Sequence, residues 1–132
     1  MLECLFDAEP DFPVVLNALR QLRVHALVEE RVLHEKIKDV LRANNIGYRY
    51  EYALGPRNRV DFLTFGGTAI ECKKKKPNER SVIQQLERYA SFADVRSIVL
   101  VIERYHVLPP NIGGKPCASI GLNRLWGFGG VI

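Results

Sequence analysis

Polar and apolar residues alternate from Tyr48 to Leu54, a pattern that predicts a strand with one covered face. Two more alternating runs, Val60 to Phe65 and Thr68 to Cys72, flank Gly66-Gly67 and predict a hairpin. Upstream the period becomes helical. Asp11 and Pro13 read as a helix start, and Val14 to about Asn44 is helix-forming, broken or bent near Val24-His25 and stopped by Asn44-Asn45 and Gly47. In its second half Leu33, Ile37, Val40 and Leu41 form an apolar stripe. After the hairpin, Pro77-Asn78-Glu79 interrupts the chain, and Ser81 to Ala93 predicts a helix with Val82, Ile83, Leu86 and Ala90 on one face. Arg96 to Ile102 then carries a β-branched apolar run, as a buried central strand reached by a helical crossover would. The elements run αβββαβ, which predicts an α/β fold with a mixed central sheet flanked by helices. Residues 1–12 show no clear period. Residues 104–132, rich in glycine with an apolar end at Leu125-Trp126, are expected to cap the sheet, pair with another subunit or contact substrate.

A chain of 132 residues with 47% apolar content suffices for one core, so residues 1–132 read as a single domain. No apolar run approaches the roughly 20 residues of a membrane span, and no basic-then-apolar signal segment opens the chain. A cytoplasmic protein without membrane association is expected. Cys4, Cys72 and Cys117 are far apart, which argues against a disulfide framework, a zinc ribbon or an iron-sulfur cluster. The formal net charge of +4 excludes little, but Lys73 to Lys76 with Arg80 concentrate cations beside the hairpin, as a polyanion-binding surface or a solvated run would.

The hairpin also carries acids near both outer ends: Asp61 in the first strand, and Glu71 in the triplet Glu71-Cys72-Lys73 of the second. Residues paired across a hairpin share a face, and a two-residue Gly66-Gly67 loop would pair Asp61 with Cys72 and split the acids. A three-residue loop centred on Gly66 pairs Asp61 with Glu71, and one centred on Gly67 pairs it with Lys73; either suits a type I turn with a glycine bulge. An odd-length loop is therefore expected. On the helix before the hairpin, Glu30 falls inside the apolar stripe by phase and His34 at its edge. A carboxylate there needs an arginine partner or a bound cation.

An acid, a short hairpin and then E-x-K on the next strand resembles the PD-(D/E)XK nuclease superfamily, with Val60-Asp61 standing where the name has Pro-Asp. Gln85 and Tyr89, four apart on the following helix, resemble the Q-x-x-x-Y motif of the RecB and Cas4 branch. Together with the αβββαβ order, the resemblance covers about residues 30–103 and implies a restriction-endonuclease-like core. It implies Asp61, Glu71 and Lys73 as catalytic residues. It implies Mg²⁺ or Mn²⁺ held by Asp61, Glu71 and the Cys72 carbonyl, with His34, Glu30 or Glu35 completing the set. Gln85 and Tyr89 would orient DNA and the lysine; apart from the resemblance, Arg57 and Arg59 at the turn before the hairpin could touch phosphate, as could Lys74 and Lys75 in the cationic segment.

The residue types agree with that chemistry, since Asp61 and Glu71 are hard oxygen ligands and Lys73 could orient a water or stabilise developing charge. Three classes remain open at this point. The first is a metal-dependent deoxyribonuclease, alone or in a larger DNA-processing complex, with a dimeric Holliday-junction resolvase as its enzymatic alternative. The others are a DNA-binding module without turnover and a protein-interaction domain on the same scaffold.

Overall fold

A computed structural model of the chain describes residues 8–24, 29–73, 78–103 and 107–125. The alternating runs form β1 (Tyr48–Gly55), β2 (Asn58–Thr64) and β3 (Thr68–Lys73), and the unbroken apolar run forms β4 (Ser97–Ile102), buried along its whole length. The helices are α1 (Phe12–Leu19), α2 (Glu30–Ala43) and α3 (Glu79–Ala90). β5 (Asn111–Ile112), β6 (Lys115–Gly121) and the helical turn α4 (Leu122–Leu125) follow.

All six strands belong to one sheet in the order β1-β2-β3-β4-β6-β5. β1, β2 and β3 form an antiparallel meander; β4 runs parallel to β3 and β6, and β5 pairs antiparallel with β6. The fold is α/β with a mixed sheet, and its elements over residues 30–102 run αβββαβ. α3 supplies the crossover that a parallel β3–β4 pair requires.

Alternation sorts β3 and β4 between two cores. Ile70, Cys72, Val99 and Val101 pack with Leu19, Leu33, Ile37 and Leu41 from α1 and α2. Ala69, Ile98, Leu100 and Ile102 pack with Val82, Leu86 and Tyr89 from α3. β4 contributes to both, which is why its sequence shows no polar alternation.

The loop between β2 and β3 has three residues, because Phe62 pairs with Ile70 and Leu63 with Ala69. Of the two odd-length loops expected, the one centred on Gly66 forms. Gly67 N–H donates to the Thr64 carbonyl at 2.9 Å, and Gly67 takes φ +90°, the left-handed position of a glycine bulge.

Other expectations are corrected. The long first helix is two helices: α1 ends at Leu19, earlier than the break expected near Val24-His25, and Gln21 and Leu22 continue in short i→i+3 turns. Leu19, Leu22 and Val24 are all buried, and a straight helix could not turn all three into the core. Asp11 precedes α1 without capping it through its side chain. Its carboxylate accepts instead from Thr68 Oγ1 at 2.7 Å, Thr64 Oγ1 at 3.0 Å and Gly66 N at 3.3 Å. The segment after residue 103 extends the sheet through β5 and β6 rather than merely lying over it.

Asp11 thus ties the start of α1 to the hairpin loop, and Asp11→Ala leaves two hydroxyls and one amide to find other partners. The expected loss is roughly 2–3 kcal/mol of unfolding free energy in urea titrations, whereas Asp11→Asn should recover part of it. Equal stability of all three proteins would show that the tie contributes nothing.

Candidate metal centre

Beyond Phe62 and Ile70 the β2–β3 ladder stops, although continuing its register would place Asp61 opposite Glu71. Side chains take over the missing bonds. Cys72 N–H donates to Asp61 Oδ2 at 2.8 Å, and Asp61 N–H donates to Glu71 Oε1 at 3.4 Å. The two acids are thereby interleaved with the backbone of the opposing strand.

The parting is reinforced from β1. Tyr50 pairs with Phe62 and Tyr52 with Val60, but between them Glu51 has φ +50° and leaves Asp61 unpaired. Phe62 packs on the α2 face while Val60, two residues earlier, packs on the α3 face. Regular alternation would put both on one side. The same-face argument of the sequence therefore does not hold at Asp61; the acids meet because the strands separate there.

Glu71 is 6% exposed. Burial, followed by the Asp61 charge, pushes its carboxyl up to about 7, against the opposing pull of Lys73. Lys73 Nζ stands 3.4 Å from Glu71 Oε2, so the catalytic trio implied by the resemblance is brought together.

His34 approaches from α2 and is buried at 5% exposure. Its Nδ1 is 2.7 Å from the Tyr50 hydroxyl, which fixes the ring. Its Nε2 has no hydrogen-bond partner among the described residues and lies 3.7 Å from Asp61 Oδ2 and 3.6 Å from Glu30 Oε2. The Asp61 carboxylate chiefly raises the imidazole pKa above 6.5, with burial opposing and Glu30 and Glu51 adding to the rise. Atoms that each bind one divalent ion at about 2.1 Å stand about 3 to 3.7 Å apart, so these gaps suit a shared cation. An unpartnered, buried imidazole nitrogen between two carboxylates is the observation that favours one.

Glu30 needs a correction. Its phase does point toward the stripe, yet its side chain is 59% exposed because it opens α2, in the turn before Leu33 enters the core. Helical phase records direction around the axis and not distance along it. Glu35 points outward and pairs with Lys38 at 3.0 Å. Cys72 also brings its Sγ to the site: with His34 and Asp61 it belongs to a group, which does not include Glu71, whose ligand atoms lie within 4.8 Å of one another and could hold a metal. Burial first, and the nearby carboxylates second, push that thiol well above its usual range, so it stays protonated and is a poor partner for a hard ion.

Gln85 Nε2 donates to the Tyr89 hydroxyl at 2.9 Å, which donates to the Arg59 carbonyl at 3.0 Å. The pair thus joins α3 to β2. Tyr89 is buried rather than at the core edge, and burial with the Glu71 and Asp61 charges raises its phenol pKa, keeping it protonated. The Arg59 side chain is 66% exposed and 3.9 Å from Glu51. Lys74 and Lys75 lie outside the described residues. Sequence reasoning missed Tyr50 and Glu51, which look like ordinary members of an alternating strand; only the left-handed φ of Glu51 sets it apart.

Compared with family models, curated proteins and solved structures, the chain matches none. Among the described residues no helix is long and apolar enough to cross a membrane.

The raised Glu71 pKa has a measurable sign. A carboxyl that holds its proton more tightly when folded contributes stability below its ordinary 4.5, and that stability is lost as pH climbs through about 7. In EDTA, unfolding free energy should fall by roughly 3 kcal/mol between pH 4.5 and 8, with His34 acting in the same direction. Glu71→Gln should flatten most of this slope, and Mn²⁺ should raise Tm more at pH 8 than at pH 5.5. A pH-independent Tm in EDTA would mean that Glu71 ionises freely.

Proposed function

We propose that this protein is a metal-dependent deoxyribonuclease of the PD-(D/E)XK type, with Asp61, Glu71 and His34 holding Mg²⁺ or Mn²⁺ and Lys73 beside them. The observation that carries the reading is a run of close approaches where β2 and β3 part: Lys73 Nζ 3.4 Å from Glu71, the Asp61 backbone amide on Glu71, and His34 Nε2 3.7 Å from Asp61. The αβββαβ order and the Gln85–Tyr89 pair on the crossover helix support it.

A divalent ion held there would neutralise negative charge on a phosphate and favour attack by water. The chain's own groups do the positioning. Asp61 is aimed by the Cys72 amide, so its carboxylate keeps one oxygen anchored. Glu71 has little solvent to stabilise its charge, which makes it a strong acceptor for a cation and a weak competitor when protonated. Tyr50 orients His34 through Nδ1 and leaves Nε2 to face the carboxylates. Lys73 is partly exposed, so its ammonium can meet substrate while staying near Glu71; there it would orient the attacking water or offset charge on the phosphate oxygens. Tyr89 and Gln85 act as positioning residues by fixing the backbone at Arg59, two residues before Asp61.

Linear duplex, single-stranded and four-way-junction DNA, each with Mg²⁺, Mn²⁺ or EDTA, test the reading. Cutting should require metal, and Lys73→Ala should slow it by about 10²–10³-fold while DNA retention stays near that of the native protein. Selective junction cleavage would point to a resolvase. Salt-sensitive retention without cutting would replace the enzyme by a binding module, and neither behaviour would leave a protein-interaction domain. Normal cutting by Lys73→Ala would overturn the site assignment.

A further inference from the structure

The β1–β2 turn places a second group of chemistry on the other side of Tyr89. Arg57, Asn58 and Arg59 from the turn, with Gln85, Arg88 and Tyr89 from α3, line a cavity of about 420 Å³ that Ala53 and Gly55 complete. No carboxylate lines it. Among the described residues Arg57 and Arg88 have no ion pair, while Arg59 meets Glu51 only at 3.9 Å. Arg88 Nε donates to Asn58 Oδ1 at 3.3 Å, and Asn58 Nδ2 donates to the Pro56 carbonyl at 3.1 Å, so the turn and helix are already tied at this wall.

The turn itself carries a second sign. Arg57 adopts φ +63°, a left-handed conformation in which glycine or asparagine costs less, so an arginine there is strained by on the order of 1 kcal/mol. Strain of this kind clusters at functional positions, and this arginine lines a concave wall together with two others.

We infer that Arg57, Arg59 and Arg88 form an anion pocket that takes a phosphate monoester. Arg57 and Arg88, without an ion pair among the described residues, offer two positive charges for the two of a monoester, Arg59 is shared with Glu51, and the planar forks match the phosphate oxygens. The cavity is larger than a bare anion needs and could also hold the attached sugar or base. Tyr89 joins the two regions: its hydroxyl bonds the Arg59 carbonyl at the pocket, and Arg59 stands two residues before Asp61 on β2. A group bound here thus lies next to the proposed centre. The inference rests on the nuclease reading only for the source of the monoester, either the phosphorylated end of a strand or a released mononucleotide.

Anisotropy of labelled single strands in EDTA separates these sources. Strands with a 5′-phosphate, a 3′-phosphate or hydroxyl ends are compared, and inorganic phosphate and nucleoside monophosphates serve as competitors. One phosphorylated end should bind about tenfold more tightly than the hydroxyl form if the source is a strand end; competition by mononucleotide with no end preference identifies the free product. In the double variant Arg57→Gln, Arg88→Gln, both exposed positions, either effect should disappear while circular dichroism shows the protein still folded. The pocket is overturned if the native protein shows neither end preference nor monophosphate competition, or if the double variant keeps them. Metal-dependent cutting of linear and of circular DNA is scored separately. Loss of cutting with phosphate binding intact counts against the nuclease reading alone, and cutting without phosphate binding counts against the pocket alone.

Discussion

The structure depends on an exchange of hydrogen bonds at one end of the β2–β3 hairpin. Where the ladder would pair Asp61 with Glu71, the strands part and each backbone amide turns to a carboxylate, Cys72 N to Asp61 and Asp61 N to Glu71. These two amides keep an acceptor, so separating the strands forfeits less hydrogen bonding than an open ladder would. What it leaves is two acids at close quarters in a largely buried place. Burial, and then that concentration of negative charge, displaces the Glu71 pKa upward, and the Asp61 carboxylate raises the His34 pKa. It also explains why Lys73 and His34 both lie within 4 Å of a carboxylate.

An arrangement of this kind has to be held from outside. Asp11 binds both threonines of the hairpin loop and the Gly66 amide, securing the closed end while the far end opens. Thr68 Oγ1 also meets Ser97 Oγ at 2.9 Å, joining the loop to β4. On the α2 side Phe62 and Tyr50 pack edge-on against His34, with ring centroids at 5.6 and 5.5 Å, and leave the imidazole little freedom to turn. On the α3 side the buried Tyr89 fastens β2 just before Asp61. The two helices therefore stiffen the parted strands from opposite faces, and each brings a polar group to the opening.

Three misreadings of the sequence have related causes. Glu30 has the angular position of a core residue and the axial position of a helix end, and periodicity reports only the first. The helix-forming stretch from Val14 to Asn44 satisfies local preference almost throughout, yet α1 stops at Leu19 because Leu22 and Val24 gain more by entering the core than by continuing the helix. Asp11 has the residue type and place of a helix cap, and its carboxylate is drawn to three donors 53 to 57 residues away. In each instance a local rule lost to a partner distant in the chain.

The amino-acid sequence determined what depends on neighbours: the strands and their faces outside Asp61, the crossover helix, and the odd-length loop with glycine in the left-handed position. These follow from periods of 2 and 3.6 and from glycine's freedom at positive φ, all properties of short stretches. Tertiary structure alone decided that α2 delivers His34 to Asp61 across 26 intervening positions, that Tyr50 holds it, that the strand faces reverse at Glu51 and Asp61, and that three arginines from a turn and a helix line one cavity. Those outcomes depend on how separate elements pack, and packing is a property of the whole core that no single stretch encodes.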